Sequence, residues 1–247
     1  MMRAVGLTAY GVVCYTASML SLIMLFAWLG GFGFFPIRLD DGIGSWTPGA
    51  VAWNTAIMLA FALYHSVFAR TVVKKRMRLL VGRNLERATY NLISAVLAVL
   101  LCLAWQPIPL RVWELSSVET AYAMQAVYVM LWIVHMTSIV LMNHNEFWGL
   151  RQIGFAMRGE EYRPLPPVSP SYYLWTRLAL VITLALIPWA SSVMTVGRLQ
   201  LSIFMTIYTA LGAWLSNRDP GDLVRTPTSA SPVTSEPMLM GARAGGE

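Results

Sequence analysis

The apolar positions of the 247-residue chain gather into six long runs divided by polar breaks. Thr8–Leu29, Ala50–Phe68, Thr89–Trp105, Ala121–Met142, Tyr172–Trp189 and Val193–Leu215 each approach the length that crosses a hydrocarbon core. Gly30-Gly31-Phe32-Gly33, the pair Pro107 and Pro109, and Pro164, Pro166, Pro167 and Pro170 interrupt the pattern between them. The runs predict an all-α, polytopic helical membrane bundle of about six spans. The last two meet at Ser191-Ser192, a weak turn, and also fit a shallow helical hairpin. Thr8–Leu29 follows a single Arg3 without a small-x-small cleavage pattern, so it reads as a retained span. From Pro220 onward, Pro, Ser, Thr, Gly and Ala follow without apolar periodicity. The expected division is a bundle over 1–217 and a disordered cytoplasmic tail over 218–247.

Composition sharpens this picture. With 57% hydrophobic and only 12% charged residues, the chain has too little polar surface to cover itself in water. The formal charge of +6 does not point to nucleic acid, because the bases cluster in loops beside the spans. Arg70, Lys74, Lys75, Arg76, Arg78, Arg83 and Arg87 face one acid, Glu86, in the loop over 70–87. By the positive-inside rule that loop lies in the cytoplasm. Both termini and the 143–170 connection then share its side, and the poorly basic loops at 31–49 and 106–120 lie outside. Cys14 and Cys102 fall at different depths, so no disulfide is expected. Cysteine and histidine spacing gives no metal signature.

One stretch resists explanation by burial. Asn143-His144-Asn145-Glu146-Phe147-Trp148-Gly149-Leu150-Arg151-Gln152 packs a His, a Glu and an Arg where the fourth run leaves the bilayer. Ionisable groups near membrane depth are costly and usually face a cavity or a partner. The plainer reading is an interfacial anchor, with Trp148 at the headgroups and Arg151 reaching lipid phosphate. The topology puts His65, Glu86, Tyr90 and Arg177 in the same layer as Asn143, His144, Glu146 and Arg151. A cavity open to the cytoplasm and lined by His65, His144, Glu146 and Arg151 is therefore expected. His135, about 13 Å along the helix from His144, reads as structural. Glu86 with Arg83 or Arg87 reads as a solvated loop pair. Arg177 alone also fits a side chain snorkelling to the headgroups.

These residues carry a resemblance. Tyr64-His65-Ser66-Val67-Phe68-Ala69-Arg70, Glu86-Arg87-Ala88-Thr89-Tyr90, Pro107-Ile108-Pro109 with Val112-Trp113, and the 143–152 stretch occur in matching order. Met194-Thr195-Val196-Gly197 and Arg218-Asp219 extend it. Over roughly residues 5–223 the chain resembles the bacterial membrane methanethiol S-methyltransferases, relatives of the isoprenylcysteine carboxyl methyltransferases. The resemblance implies an enzyme of the bacterial cytoplasmic membrane that moves a methyl group from S-adenosylmethionine to a small thiol. It implies catalytic roles for His144, Glu146 and His65. It places the cofactor against Arg177, Arg151, Asn143, Arg218 and Asp219.

The chain also departs from that pattern. Where the wider family carries Arg-His-Pro, then Tyr and Gly, this sequence reads Arg177-Leu178-Ala179, then Val181 and Thr183. The family's Glu-Glu before Arg-Asp is Ser216-Asn217. A competing reading follows: a family member that lost its cofactor elements and serves as a non-enzymatic membrane subunit or scaffold.

Overall fold

The computed structural model describes residues 2–32, 36–41, 46–68, 70–166 and 169–218. Among these, nine α-helices and one small sheet are present. The long helices are α1 (Met2–Gly30), α2 (Pro48–Phe68), α4 (Glu86–Ala104), α5 (Val118–Leu141), α8 (Pro170–Leu186) and α9 (Val196–Arg218). Three short ones, α3 (Thr71–Val81), α6 (His144–Phe147) and α7 (Leu150–Arg158), lie between them. Helix-to-helix contacts run α1–α4–α2–α9–α8–α5 and back to α1, so the long helices close a ring. The protein is a helical membrane bundle. Among the described residues five helices are long and apolar enough to cross a bilayer: α1, α2, α4, α5 and the span Ser171–Trp189, which takes in all of α8 but its first residue.

The sixth apolar run becomes α9, which is long enough but less apolar. It turns Arg198, Ser202 and Thr209 into the protein, where each is buried. Polar side chains on the inner face of a membrane helix act as hydrogen-bonding contacts between helices. The junction before it is not a simple hairpin. Helix α8 runs into a 3-10 turn over Ile187–Trp189, and β2 (Val193–Thr195) then pairs antiparallel with β1 (Arg111–Glu114). Arg111 sits opposite Thr195, Trp113 opposite Met194 and Glu114 opposite Val193. The ladder extends through Val196 N–H to the Leu110 carbonyl at 2.8 Å and Gly197 N–H to the Ile108 carbonyl at 3.2 Å. This sheet is an addition to the all-α expectation. Its strands are too short to register as alternation in the sequence.

Among the described residues the most extensive helix pair is α1 with α4, and small residues explain it. Gly11, Cys14, Ser18 and Ser21 are buried along one stripe of α1. Ala88, Asn91, Ala95, Ala98 and Cys102 line the matching stripe of α4. Lipid tails are as apolar as these side chains, so the gain comes from close backbone approach and packing. The aromatic core lies toward the end of the bundle that holds the sheet. There Trp28, Leu39, Met58, Trp105, Tyr128, Trp132, Ile187 and Leu201 form one cluster. Toward the opposite end, where α3, α6 and α7 sit, the buried apolar cluster shrinks to Cys14, Ala88 and Ile153.

Candidate functional site

The thinly cored end holds the 143–152 stretch, and its backbone has a local cause. Helix α5 stops at Leu141, and Asn143 takes φ +74°, the sole non-glycine positive φ among the described residues. Asn tolerates this region better than most side chains. Its side-chain oxygen accepts from the Glu146 N–H at 3.2 Å and caps α6. Gly149, at φ +82°, then turns the chain into α7. A Cβ there would come within 2.8 Å of the Ala88 nitrogen, so only glycine lets this turn rest against α4.

The turns splay the ionisable groups in different directions. Glu146 accepts from Gln152 Nε2 at 3.0 Å and from the Tyr162 hydroxyl. Arg151 stands 3.4 Å from its other oxygen, an ion pair without hydrogen-bond alignment. Burial pushes the Glu146 carboxyl above its ordinary range, and the charges of Arg151 and Arg87 pull only part of the way back. His144 points elsewhere: its Nε2 and the Tyr15 hydroxyl of α1 share a hydrogen bond of 3.1 Å. Its ring also meets Trp148 edge-on. His65, on α2, lies flat against Phe61 and tilts against Tyr90, with its buried Nδ1 unpartnered among the described residues.

The hub joining these groups is the first part of α4. Arg87 and Asn91 both donate to the Phe147 carbonyl at 3.0 Å, and the Arg87 guanidinium lies 5.3 Å from the Phe147 ring centre. Thr89 meets Tyr10 of α1 at 2.7 Å, and Tyr90 faces His65 and Tyr64. The charge of Arg87 bears on both His65 and Glu146. Glu86 is no solvated loop pair with Arg83 or Arg87. It is 8% exposed and pairs with Arg78, while Arg87 turns inward. The α3–α4 turn packs Glu86 under α3, which brings Arg78 onto it.

An open cleft of about 460 Å³ lies beside this cluster, lined by Asn143, Asn145, Leu150, Arg151, Gly154, Phe155 and Arg158. Arg151 and Arg158 both stack on the Phe155 ring, at 5.3 and 4.6 Å. The cleft corrects the expected cavity in one respect. Arg151 lines it, but His144, Glu146 and His65 do not. Two reasons apply: α6 is a single turn, so the side chains of His144 and Glu146 diverge, and His65 on α2 packs against Phe61 and Tyr90 instead.

Of the residues tied to the cofactor, Asn143 and Arg151 share this cleft. Arg177 lies on α8 and donates to the Ala213 carbonyl of α9 at 3.3 Å. Arg218 closes α9 with its side chain outside the described residues, as is Asp219. His135 bridges helices through a 3.0 Å contact with Thr183 Oγ1. Tyr162 was not among the sequence candidates. Asn84 brackets it, donating to the Glu160 carbonyl at 2.8 Å and accepting from the Tyr162 N–H at 3.1 Å.

No protein-family model and no solved structure matches the chain. Curated proteins do. Methanethiol S-methyltransferase 1 of Bradyrhizobium diazoefficiens is 31% identical over 214 residues, 87% of this chain and 75% of that protein. The methanethiol S-methyltransferase of Pseudomonas deceptionensis is 32% identical over 189 residues, 74% of this chain and 70% of that protein. This chain belongs to the methanethiol S-methyltransferase family. Nurim of Xenopus laevis is a more distant relative, 29% identical over 167 residues, 64% of this chain and 58% of its own length. The matched length means that the methanethiol S-methyltransferase likeness extends across most of the ring of helices.

Proposed function

We propose that the chain is an integral S-methyltransferase of a bacterial cytoplasmic membrane. Its donor is S-adenosylmethionine and its acceptor is methanethiol or another small thiol, methanethiol giving dimethyl sulfide. The basic residues of the 70–87 loop support a cytoplasmic orientation of the cleft end. The observation that carries the reading is Arg151: it lines the cleft and pairs with Glu146.

The residues around the cleft fit the cofactor. Arg151 and Arg158 offer forked donors suited to a carboxylate, and Asn143 and Asn145 offer amides for its polar edges. The cleft volume falls within the range of small-ligand sites, about 300–1,000 Å³. When bound, S-adenosylmethionine supplies a methyl group on a positively charged sulfur.

The protein's part is to ready the thiol. The thiolate is the nucleophile, so a base must take the thiol proton. Glu146 serves as that base, with its pKa lifted by burial toward the operating pH. Gln152 and Tyr162 fix its carboxylate, and Asn84 fixes Tyr162. His144, held by Tyr15, and His65, beside Tyr90, complete the polar layer through which the thiol passes from the lipid. A donor held by Arg151 and Arg158 would supply the methyl group to the thiolate, and Glu146 would keep the proton taken from the thiol.

Headspace assay of dimethyl sulfide from cells expressing the chain and given methanethiol tests the reaction. Product above an empty-vector control is expected. None, while an intact relative produces it, would overturn the reading.

A second reading has an observation in its favour. Arg177 is engaged with α9, and Ser216-Asn217 stands at the family's Glu-Glu position. A non-catalytic subunit would fold into membranes and bind no S-adenosylmethionine, which equilibrium dialysis of purified protein reads directly.

A further inference from the structure

Among the described residues, helix α3 contributes nothing to the lining of the cleft. It begins three residues after α2 ends and stops five residues before α4 begins, so it lies along the bilayer face by connection alone. Its wheel is ordered. Val73, Met77 and Val81, four apart, share one stripe, and Met77 is buried against the protein. Val72, Leu79 and Leu80 lie on the outward face with Arg76 between them on the wheel, Leu79 at 87% and Leu80 at 86% exposure. Lys74, Lys75 and Arg78 occupy the opposite arc. A short helix with part of its apolar arc on the protein and part open is built to sit in a membrane interface.

The charge pattern goes further than a generic anchor. Lys75, Arg76 and Arg83 are all exposed. The acid of this segment, Glu86, is buried and taken by Arg78, so it cannot offset them. We infer that α3 and the turn after it form a binding surface for anionic phospholipid, Lys75, Arg76 and Arg83 contacting headgroup phosphate while Leu79 and Leu80 enter the acyl layer. A zwitterionic headgroup carries its own cation and gains less from three exposed bases. The surface rests on the membrane setting of the bundle and not on the methyl-transfer reaction.

The test uses full-length protein purified in detergent, with phosphatidylglycerol and phosphatidylcholine supplied in equal amounts and bound lipid read by native mass spectrometry. Wild type should retain phosphatidylglycerol preferentially, and the preference should shrink as salt is raised. Changing Lys75→Gln, Arg76→Gln and Arg83→Gln should reduce it by about five-fold for each base removed. Those side chains are exposed, and circular dichroism should show the same helix content. Leu79→Ser with Leu80→Ser should weaken retention of both lipids alike. An undiminished preference in the triple variant, or one indifferent to salt, would overturn the inference. So would displacement of phosphatidylglycerol by inorganic phosphate at equal concentration, which would mark a soluble-anion site.

Discussion

At the sheet end of the bundle, Arg198 is 2% exposed and gives its Nε and Nη2 to Asp40 at 2.9 and 2.6 Å. Its Nη2 also reaches the Leu29 carbonyl at 2.7 Å, and Asp40 accepts from Thr195 at 2.5 Å. At the cleft end, Glu146 and Arg151 approach without aligning, and Gln152 Oε1 and His65 Nδ1 find no partner among the described residues. Both ends bury charge, and they bury it to different purposes. The Arg198 pair sits beside a dense aromatic cluster, has Nε and Nη2 engaged with Nη1 alone of the guanidinium left without a partner among the described residues, and ties the α1–α2 loop to β2 and α9. The Glu146 group sits where the apolar core is thin and keeps open valences beside a cleft. A filled ion pair holds a fold together, whereas an unfilled one is available to a ligand.

The contrast breaks most visibly at its structural pole. Arg198→Ala leaves Asp40 uncompensated at a largely buried position and should cost about 3–5 kcal/mol. Thermal unfolding of purified protein measures it, and Asp40→Asn combined with Arg198→Met should recover part of the loss. If Arg198→Ala unfolded at the wild-type temperature, the pair would not be the clamp described.

Glu146→Gln should do the reverse, leaving folding intact while cutting methyl transfer by about 10²–10⁴-fold, the usual worth of a positioned base. The pH dependence has a definite sign. Burial raises the folded-state pKa of Glu146 above the ordinary 4.5. The folded chain therefore binds this proton more tightly than the unfolded chain, and stability falls as pH rises through the interval above 4.5. Activity rises over the same interval, because only the carboxylate accepts a proton. The Gln variant should lose both dependences.

Gly149→Ala is the next smaller change. It places a side chain at φ +82° and against Ala88, and should destabilise the α6–α7 turn by about 1–3 kcal/mol, read in the unfolding midpoint. Tyr162→Phe should act on the pH profile and leave the fold intact. It removes one hydrogen bond to the carboxylate, worth about 1.5–3 kcal/mol to a charged group, and should move the acid limb of the rate profile to higher pH. An unmoved limb would detach Tyr162 from the base.

How much of this the sequence disclosed follows from the range of each interaction. Spans were legible because a bilayer imposes a long apolar length on each helix. The 143–152 stretch stood out because charge at that depth has no packing explanation. The α1–α4 seam left a local trace too, in the three- and four-residue spacing of Gly11, Cys14, Ser18 and Ser21. The β1–β2 ladder did not, since it joins residues some eighty positions apart through backbone groups common to every sequence. Arg198 was passed over for a related reason: its partner Asp40 lies 158 positions away. Glu86 reads as solvated from sequence because its near neighbours are bases, while the fold buries it and gives it Arg78 on another helix. Tyr162 was hidden because Asn84, which aims it, is remote in the chain.

The central claim is that the cleft beside Glu146 receives the methyl donor. Binding of S-adenosylmethionine to purified wild type, Arg151→Ala and Arg177→Ala, measured by isothermal titration calorimetry, tests it most directly. The account predicts that wild type binds and that Arg151→Ala loses roughly ten- to a hundred-fold in affinity, the worth of a charged hydrogen bond. Arg177→Ala, whose guanidinium is turned toward α9, should bind nearly as wild type does. Loss in Arg177→Ala with Arg151→Ala unaffected would place the cofactor between α8 and α9 and contradict the account.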